Sequence, residues 1–126
     1  MDERERLEAG MRVRRSVLGG EHVNRAEAAK TTLDADFQDM ITRYAWGEIW
    51  TRAGLPLHTR SLIAIGMMVA LNRTEELRIH MRAAANTGVT IEEISEVLLQ
   101  SAIYCGVPAA NSAFLVAKEV LNERRT

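Results

Sequence analysis

Apolar residues recur at intervals of three and four along most of the chain, and no useful length of it alternates apolar with polar positions. That is the period of a helix and not of a strand. Helix formers dominate (Ala, Leu, Glu, Arg, Met) and long β-branched runs are absent. The pattern predicts six or seven helices. The first covers residues 2–18 and stops at Gly19-Gly20. A short helix follows over 23–30. Thr31-Thr32 breaks the pattern and caps a helix over 33–51, which ends before Gly54 and Pro56. After the tight connection Leu55-Pro56-Leu57-His58, Thr59 is the expected N-cap of an apolar helix over 60–71. Asn72-Arg73 turns the chain, Thr74 caps the next helix and Gly88 ends it. Thr90-Ile91-Glu92-Glu93 fits a capping box and starts a helix that stops at Gly106. Pro108 sits where a first-turn proline is tolerated, and the last helix runs to about residue 124. With no linker, repeat or low-complexity segment, residues 1–126 read as one all-α domain.

Composition narrows the functions. The chain has 126 residues, is 47% hydrophobic and 26% charged, and carries 16 basic against 17 acidic side chains. A net charge of −1 offers no electrostatic case for nucleic acid or an acidic membrane, although a local basic cluster can bind a small anion. The one cysteine, Cys105, cannot form an intrachain disulfide, a CxxC pair or a multi-cysteine zinc site. The charged start, Met1 to Arg6, is no signal peptide, and the longest apolar run, residues 62–71, is too short for a bilayer. A cytoplasmic location is the expectation.

Polar residues on apolar stripes carry the candidate chemistry, because burying them is costly without a partner or a task. Over 33–51, helical spacing puts Phe37, Ile41, Tyr44 and Glu48 on one stripe, with Trp46 and Trp50 flanking Glu48. Glu48 is then expected to point inward. It is either paired with an arginine such as Arg43 or Arg52, or a carboxylate in an apolar pocket with a raised pKa suited to proton transfer. Over 74–87 the expected apolar face is Leu77, Met81, Ala84 and Ala85, with His80 between Leu77 and Ala84. Glu76 lies one turn before His80 and Arg73 about another turn back, so the three line one side of the helix. His80 is either a satisfied core histidine or an imidazole oriented and tuned by Glu76.

Other positions carry less. Arg60 opens the apolar helix and can place a guanidinium at the end of a pocket. Tyr104 can present its hydroxyl to a cavity or pack in the core. Arg82 reads as solvated, Met67 and Met68 as core filling, Cys105 as a buried thiol and the charged run Asp2 to Arg6 as a solvated helix face. His22 and His58 lie in connections and receive no chemistry. Glu76 and His80 supply two metal ligands at most, so no metal is expected.

Four stretches resemble the 4-carboxymuconolactone decarboxylase family: ERERLEAGMRVRRSVLG, DFQDMITRYAWGEIWTR, TRSLIAIGMMVALNRTEELRIHMRAAA and SAIYCGVPAANSAF. The likeness keeps one register over nearly the whole chain. It implies the alkylhydroperoxidase-D-like fold, an orthogonal bundle of six to seven helices. Redox members of that superfamily carry a CxxC with a histidine four residues after the second cysteine. Counting back from His80, the cysteine positions are Arg73 and Glu76, so reduction of peroxide by that thiol pair is excluded. A glutamate that redox members tend to carry is matched by Ser61. Only the His80 position transfers.

The resemblance implies a dicarboxylate lactone as substrate, and the β-ketoadipate enol-lactone and CO2 as products, in the protocatechuate branch of aromatic degradation. No cofactor is implied, because the lactone carbonyl, conjugated with the carbon that loses CO2, accepts the electron pair. The enzyme must stabilise the oxyanion and protonate a ring carbon. On that basis His80, oriented by Glu76, is the proton donor or oxyanion partner. Glu48 is the second candidate acid, or it crowds the departing carboxylate. Arg60 and Arg73 are candidates to hold the two carboxylates, and Tyr104 and Trp46 to line the pocket. The resemblance also implies a homo-oligomer, a trimer or a hexamer. The readings set against this one are a same-fold enzyme acting on another lactone or keto acid, and a non-catalytic helical oligomer that binds a small anion.

Overall fold

The computed structural model describes residues 1–124, and the protein is all-α. Seven α-helices occur among those residues, with one π-helical and one 3-10 segment between them. They fall into two compact units, Met1–Leu57 and the chain from His58 onward. No helix among the described residues is long and apolar enough to cross a membrane.

The first unit holds α1 (Glu3–Leu18), α2 (Gly20–Ala29), α3 (Ala35–Ile41) and a π-helical segment (Thr42–Ile49). Asp2 caps α1 by accepting from the Glu5 N–H at 2.7 Å. Gly19, at φ 92°, turns the chain between α1 and α2. The expected single α-helix over 33–51 starts two residues late and changes period midway. Its end shows the wider turn: the Trp50 N–H donates to the Ala45 carbonyl, five residues back, at 3.0 Å.

α1 grips that segment along one stripe, Arg6, Gly10 and Arg14, spaced four apart. A Cβ on Gly10 would lie 1.9 Å from the Thr42 carbonyl oxygen, and one on Gly47 would lie 2.4 Å from the Arg6 carbonyl oxygen. The two backbones therefore meet where side chains are missing. Arg14 is buried, and its Nη1 donates to Glu27 Oε1 of α2 at 3.2 Å and to Thr42 Oγ1 at 3.4 Å. The Thr42 hydroxyl donates to the Gln38 carbonyl at 2.9 Å.

The change of period corrects the expected stripe. More residues fit in an i→i−5 turn than in an α turn, so positions aligned at 3.6 slide off the buried side. Thr42, Trp46 and Gly47 are buried, while Tyr44 and Glu48 are exposed; Phe37, in α3 ahead of the change, is exposed too, and α3 buries no residue.

The second unit holds α4 (Leu57–Leu71), α5 (Thr74–Ala83), a 3-10 turn (Ala84–Thr87), α6 (Ile91–Cys105) and α7 (Val107–Glu123). Helix α4 begins directly after Pro56, three residues earlier than expected, so Thr59 lies inside its first turn and caps nothing. Asn72, at φ 57°, makes the next turn, and Arg73 rather than Thr74 occupies the N-cap of α5. Gly88, at φ 80°, supplies the left-handed residue that ends the 3-10 turn. The capping box of α6 is present in both halves: Glu93 N–H to Thr90 Oγ1 at 3.1 Å, and Thr90 N–H to Glu93 Oε1 at 2.9 Å.

The core of this unit takes Ile65 and Val69 from α4, Leu77, Met81 and Ala84 from α5 and its turn, Ile94 and Leu98 from α6, and Ala113, Val116 and Val120 from α7. Ala85, expected on the apolar face, is exposed, because the helix tightens to 3-10 after Ala83; Ala83, at the end of α5, is buried. Met68 packs against the core, whereas Met67 is 56% exposed and is not core filling. Arg82 is not simply solvated: its Nε and Nη2 donate to the two carboxylate oxygens of Glu123 at 2.8 and 2.7 Å. One turn earlier, Arg78 donates to Glu119 at 2.9 and 3.1 Å, so two arginines join α5 to α7.

Candidate active site

The expected site residues divide between the two units. Trp46 and Glu48 belong to the first; Arg60, Arg73, Glu76, His80 and Tyr104 belong to the second. Trp46 alone among the seven is buried.

In the first unit, Trp46 is 7% exposed and its ring meets that of Trp50, with centroids 4.8 Å apart and planes tilted by 33°. Glu48 does not point inward as the α-helical stripe implied. Its carboxylate accepts from Arg6 Nε at 3.1 Å, so it is a glutamate paired with an arginine, Arg6 of α1. Arg6, expected in a solvated run, instead turns inward and leaves 19% of its side chain exposed. Its Nη1 donates to Glu3, and its guanidinium lies 5.3 Å from the centre of the Tyr44 ring. Glu3 also accepts from the Tyr44 hydroxyl at 2.7 Å and faces Arg43 Nε at 3.4 Å. The hydrogen bond to Glu48 is the main cause that raises the pKa of Arg6, and the one to Glu3 raises that of Tyr44. The result is two carboxylates, two guanidiniums and a phenol in one connected cluster. The sequence signal for it is the four-residue spacing of Arg6, Gly10 and Arg14, which puts polar and small residues on one side of α1.

In the second unit, α5 carries Arg73, Glu76 and His80. Arg73 is exposed at the N-cap, where its carbonyl accepts from the Leu77 N–H at 2.8 Å. Glu76 is exposed on the first turn, and His80 is half-buried between the core residues Leu77 and Met81. Arg60 is half-buried on the first turn of α4, with its Nε shielded from water. Next to it Ser61, at the position of the redox members' glutamate, is buried, and its hydroxyl meets the Thr87 hydroxyl at 2.8 Å. Thr87 ends the 3-10 turn that continues α5.

Tyr104 is 83% exposed, which removes its core-packing reading. It borders an open groove of about 390 Å³ between α4 and α6, with Leu62, Ile63, Gly66, Val97, Gln100, Ser101 and Cys105. Cys105 is half-buried in that lining rather than fully buried. The groove has no basic side chain, so it lacks a counter-charge for a dicarboxylate. His58 is not idle: its Nε2 meets Glu93 Oε2 at 2.7 Å and ties the start of α4 to the start of α6. That bond is the main cause that lowers the Glu93 pKa, followed by the Thr90 N–H of the capping box. Among the described residues, no three His, Cys, Asp or Glu side chains gather into a group that could hold a metal ion.

Residues 35–119 match the carboxymuconolactone decarboxylase family. The chain is 46% identical over 123 residues to the 4-carboxymuconolactone decarboxylase of Acinetobacter baylyi, covering 98% of this chain and 92% of that one. It is 38% identical over 117 residues to a nitrosuccinic acid decarboxylase of Metarhizium robertsii, covering 93% and 82%. It also superposes on a crystal structure of a Burkholderia xenovorans LB400 protein assigned as a carboxymuconolactone decarboxylase. The TM-score is 0.57 and the identity 27%, over 98% of this chain and 97% of that one.

Proposed function

Because this chain belongs to the carboxymuconolactone decarboxylase family, we propose that it is a carboxy-lyase that converts 4-carboxymuconolactone to the β-ketoadipate enol-lactone and CO2. The observation that carries this reading is the 46% identity to the Acinetobacter enzyme along almost the whole of both chains. The substrate supplies its own electron sink, so the reaction runs without a cofactor. The bond from the ring carbon to the carboxylate breaks, and its electron pair passes through the double bond to the lactone carbonyl oxygen. A proton then returns to a ring carbon.

His80 delivers that proton or stabilises the oxyanion. Its half-buried place on α5 suits a group that must meet a substrate yet stay shielded from bulk water. Glu76 orients it from one turn earlier. Arg60 and Arg73 hold the two carboxylates through planar guanidinium forks. Glu48, paired with Arg6, serves as a carboxylate that crowds the leaving CO2 group rather than as the acid.

The enzyme works as a homo-oligomer, a trimer or a hexamer, in the cytoplasm, within the protocatechuate branch of aromatic degradation. Ile63, Met67 and Leu71 form an exposed apolar stripe on α4, and Leu99, Ile103 and Tyr104 are exposed on α6, which suits faces that assembly would cover. A second reading, a same-fold decarboxylase of another acid, is favoured by the likeness to the nitrosuccinic acid decarboxylase. The chemistry is shared, since a nitro group beside a carboxylate also accepts the electron pair.

The test is turnover of freshly generated 4-carboxymuconolactone, followed as substrate loss and CO2 release with a metal chelator present, beside nitrosuccinate. Turnover of the lactone with chelator is expected. Turnover of nitrosuccinate alone selects the second reading, and no turnover of either by folded protein overturns both.

A further inference from the structure

We propose that Arg6 is a positioning residue for the decarboxylation, acting through Glu48; this rests on the reading that Glu48 takes part in catalysis. The Arg6 Nε donates to Glu48 Oε2 at 3.1 Å, so one edge of the guanidinium is committed to that carboxylate. The rest of the group is fixed from two other sides. Glu3 accepts from Nη1, and the Tyr44 ring lies under the guanidinium at 5.3 Å. Glu3 is in turn held by the Tyr44 hydroxyl at 2.7 Å and faced by Arg43 at 3.4 Å. The backbone adds a second register. Gly47, the residue before Glu48, comes so near the Arg6 carbonyl oxygen that a Cβ there would lie 2.4 Å from it. Main chain and side chain of residue 6 thus both locate residues 47 and 48.

A purely structural role accounts for this poorly. The Glu48 side chain is 48% exposed, and an ion pair that open to water contributes little to stability. α1 is already anchored to the π-helical segment at Gly10 and Arg14. What the pair does supply is one place and one orientation for a carboxylate on a widened helical turn. Positioning of that kind acts on rate, because a misplacement of about 1 Å costs about 100-fold in turnover. Arg6 and Glu3 precede residues 35–119, the span of the family match, and lie in the stretch ERERLEAGMRVRRSVLG. The positioning device is therefore carried by an element that precedes the matched segment.

The experiment is a double-mutant cycle on the full chain with 4-carboxymuconolactone as substrate: Arg6→Ala, Glu48→Gln and the two together, with Arg6→Lys as the conservative variant. Arg6→Ala is expected to lower kcat by about 10- to 100-fold while KM stays within about twofold. Arg6→Lys, which keeps the charge but not the planar fork, is expected to recover part of the loss. Glu48→Gln is expected to lose at least as much as Arg6→Ala, and adding Arg6→Ala to it should change nothing further. Wild-type kcat in Glu48→Gln overturns the catalytic reading of Glu48. An impaired Glu48→Gln beside an unimpaired Arg6→Ala overturns the positioning role alone, and so do losses that multiply in the double variant. If Arg6→Ala fails to fold, Arg6→Lys decides. Reduced kcat at an unchanged Tm supports the role, and wild-type kcat overturns it.

Discussion

Gly10 and Gly47 set how closely α1 and the π-helical segment approach. Replacing a helical glycine by alanine ordinarily stabilises by about 0.5–1 kcal/mol, through the unfolded chain. Here the new methyl would meet backbone atoms, 1.9 Å from Thr42 O at Gly10 and 2.4 Å from Arg6 O at Gly47. Backbone cannot rotate away as a side chain can, and overpacking of this kind costs about 1–3 kcal/mol or more, so the clash wins. Gly47→Ala should lower stability by about 1–3 kcal/mol in urea unfolding, and Gly10→Ala by more; a rise in the midpoint of either variant would contradict the close contact. Chemistry at this scale rests first on His80. His80→Ala should reduce kcat on 4-carboxymuconolactone by about 100-fold or more in folded protein, and near-wild-type turnover would remove His80 from the mechanism. The half-buried place of His80 was legible in the sequence, because α5 keeps the 3.6 period on which the inference depends. Glu48, expected inward, is exposed for the converse reason: the α-helical period does not hold through the π-helical segment that carries it.

Among the elements, boundaries written in local chemistry were legible and those set by distant contacts were not. The capping box at Thr90 and Glu93 appeared where the sequence put it, with both reciprocal bonds formed. Thr90→Ala should cost about 1 kcal/mol, read as a lower Tm, since Glu93 then loses the acceptor for its own N–H. An unchanged Tm would mean that the cap is redundant. Gly88 and Gly106 ended their helices as expected, for backbone reasons local to each residue. The π-helical turn had no such signal. It is held by α1 through Arg14, Gly10 and Arg6, residues about 30 to 40 positions away in sequence, and a period count over the segment itself contains none of them. α4 likewise starts at Leu57 rather than after Thr59. Its first turn carries His58, whose bond to Glu93 comes from α6, another contact that Thr59 as a cap signal could not announce.

At the scale of the molecule, near-equal numbers of acids and bases mean that stability follows particular pairs and not net charge. The carboxyls of Asp2, Glu93 and Glu123 are held below their ordinary values of 3.8, 4.5 and 4.5, mainly by the Glu5 N–H, by His58 and by Arg82 respectively. A carboxyl that binds protons more weakly when folded stabilises the protein above its unfolded pKa, and that contribution is lost as pH falls through the folded pKa. Tyr44 and Lys30 have the opposite sense. Their pKa values rise above 10.0 and 10.5, mainly through hydrogen bonds to Glu3 and Glu27, so their contribution is present below those values and lost as pH rises through the folded ones. The urea midpoint should therefore stay flat, as far as these groups decide it, from about pH 5 to about pH 9, and fall on both sides. Glu123→Gln removes one depressed carboxyl and should shrink the acid limb, while Tyr44→Phe should shrink the alkaline one. All these groups are exposed or half-exposed, so raising the salt concentration should flatten both limbs through screening. A midpoint that climbs between pH 5 and pH 3 would show that the depressed carboxyls do not govern acid stability. An acid limb indifferent to salt would locate the cause in buried groups.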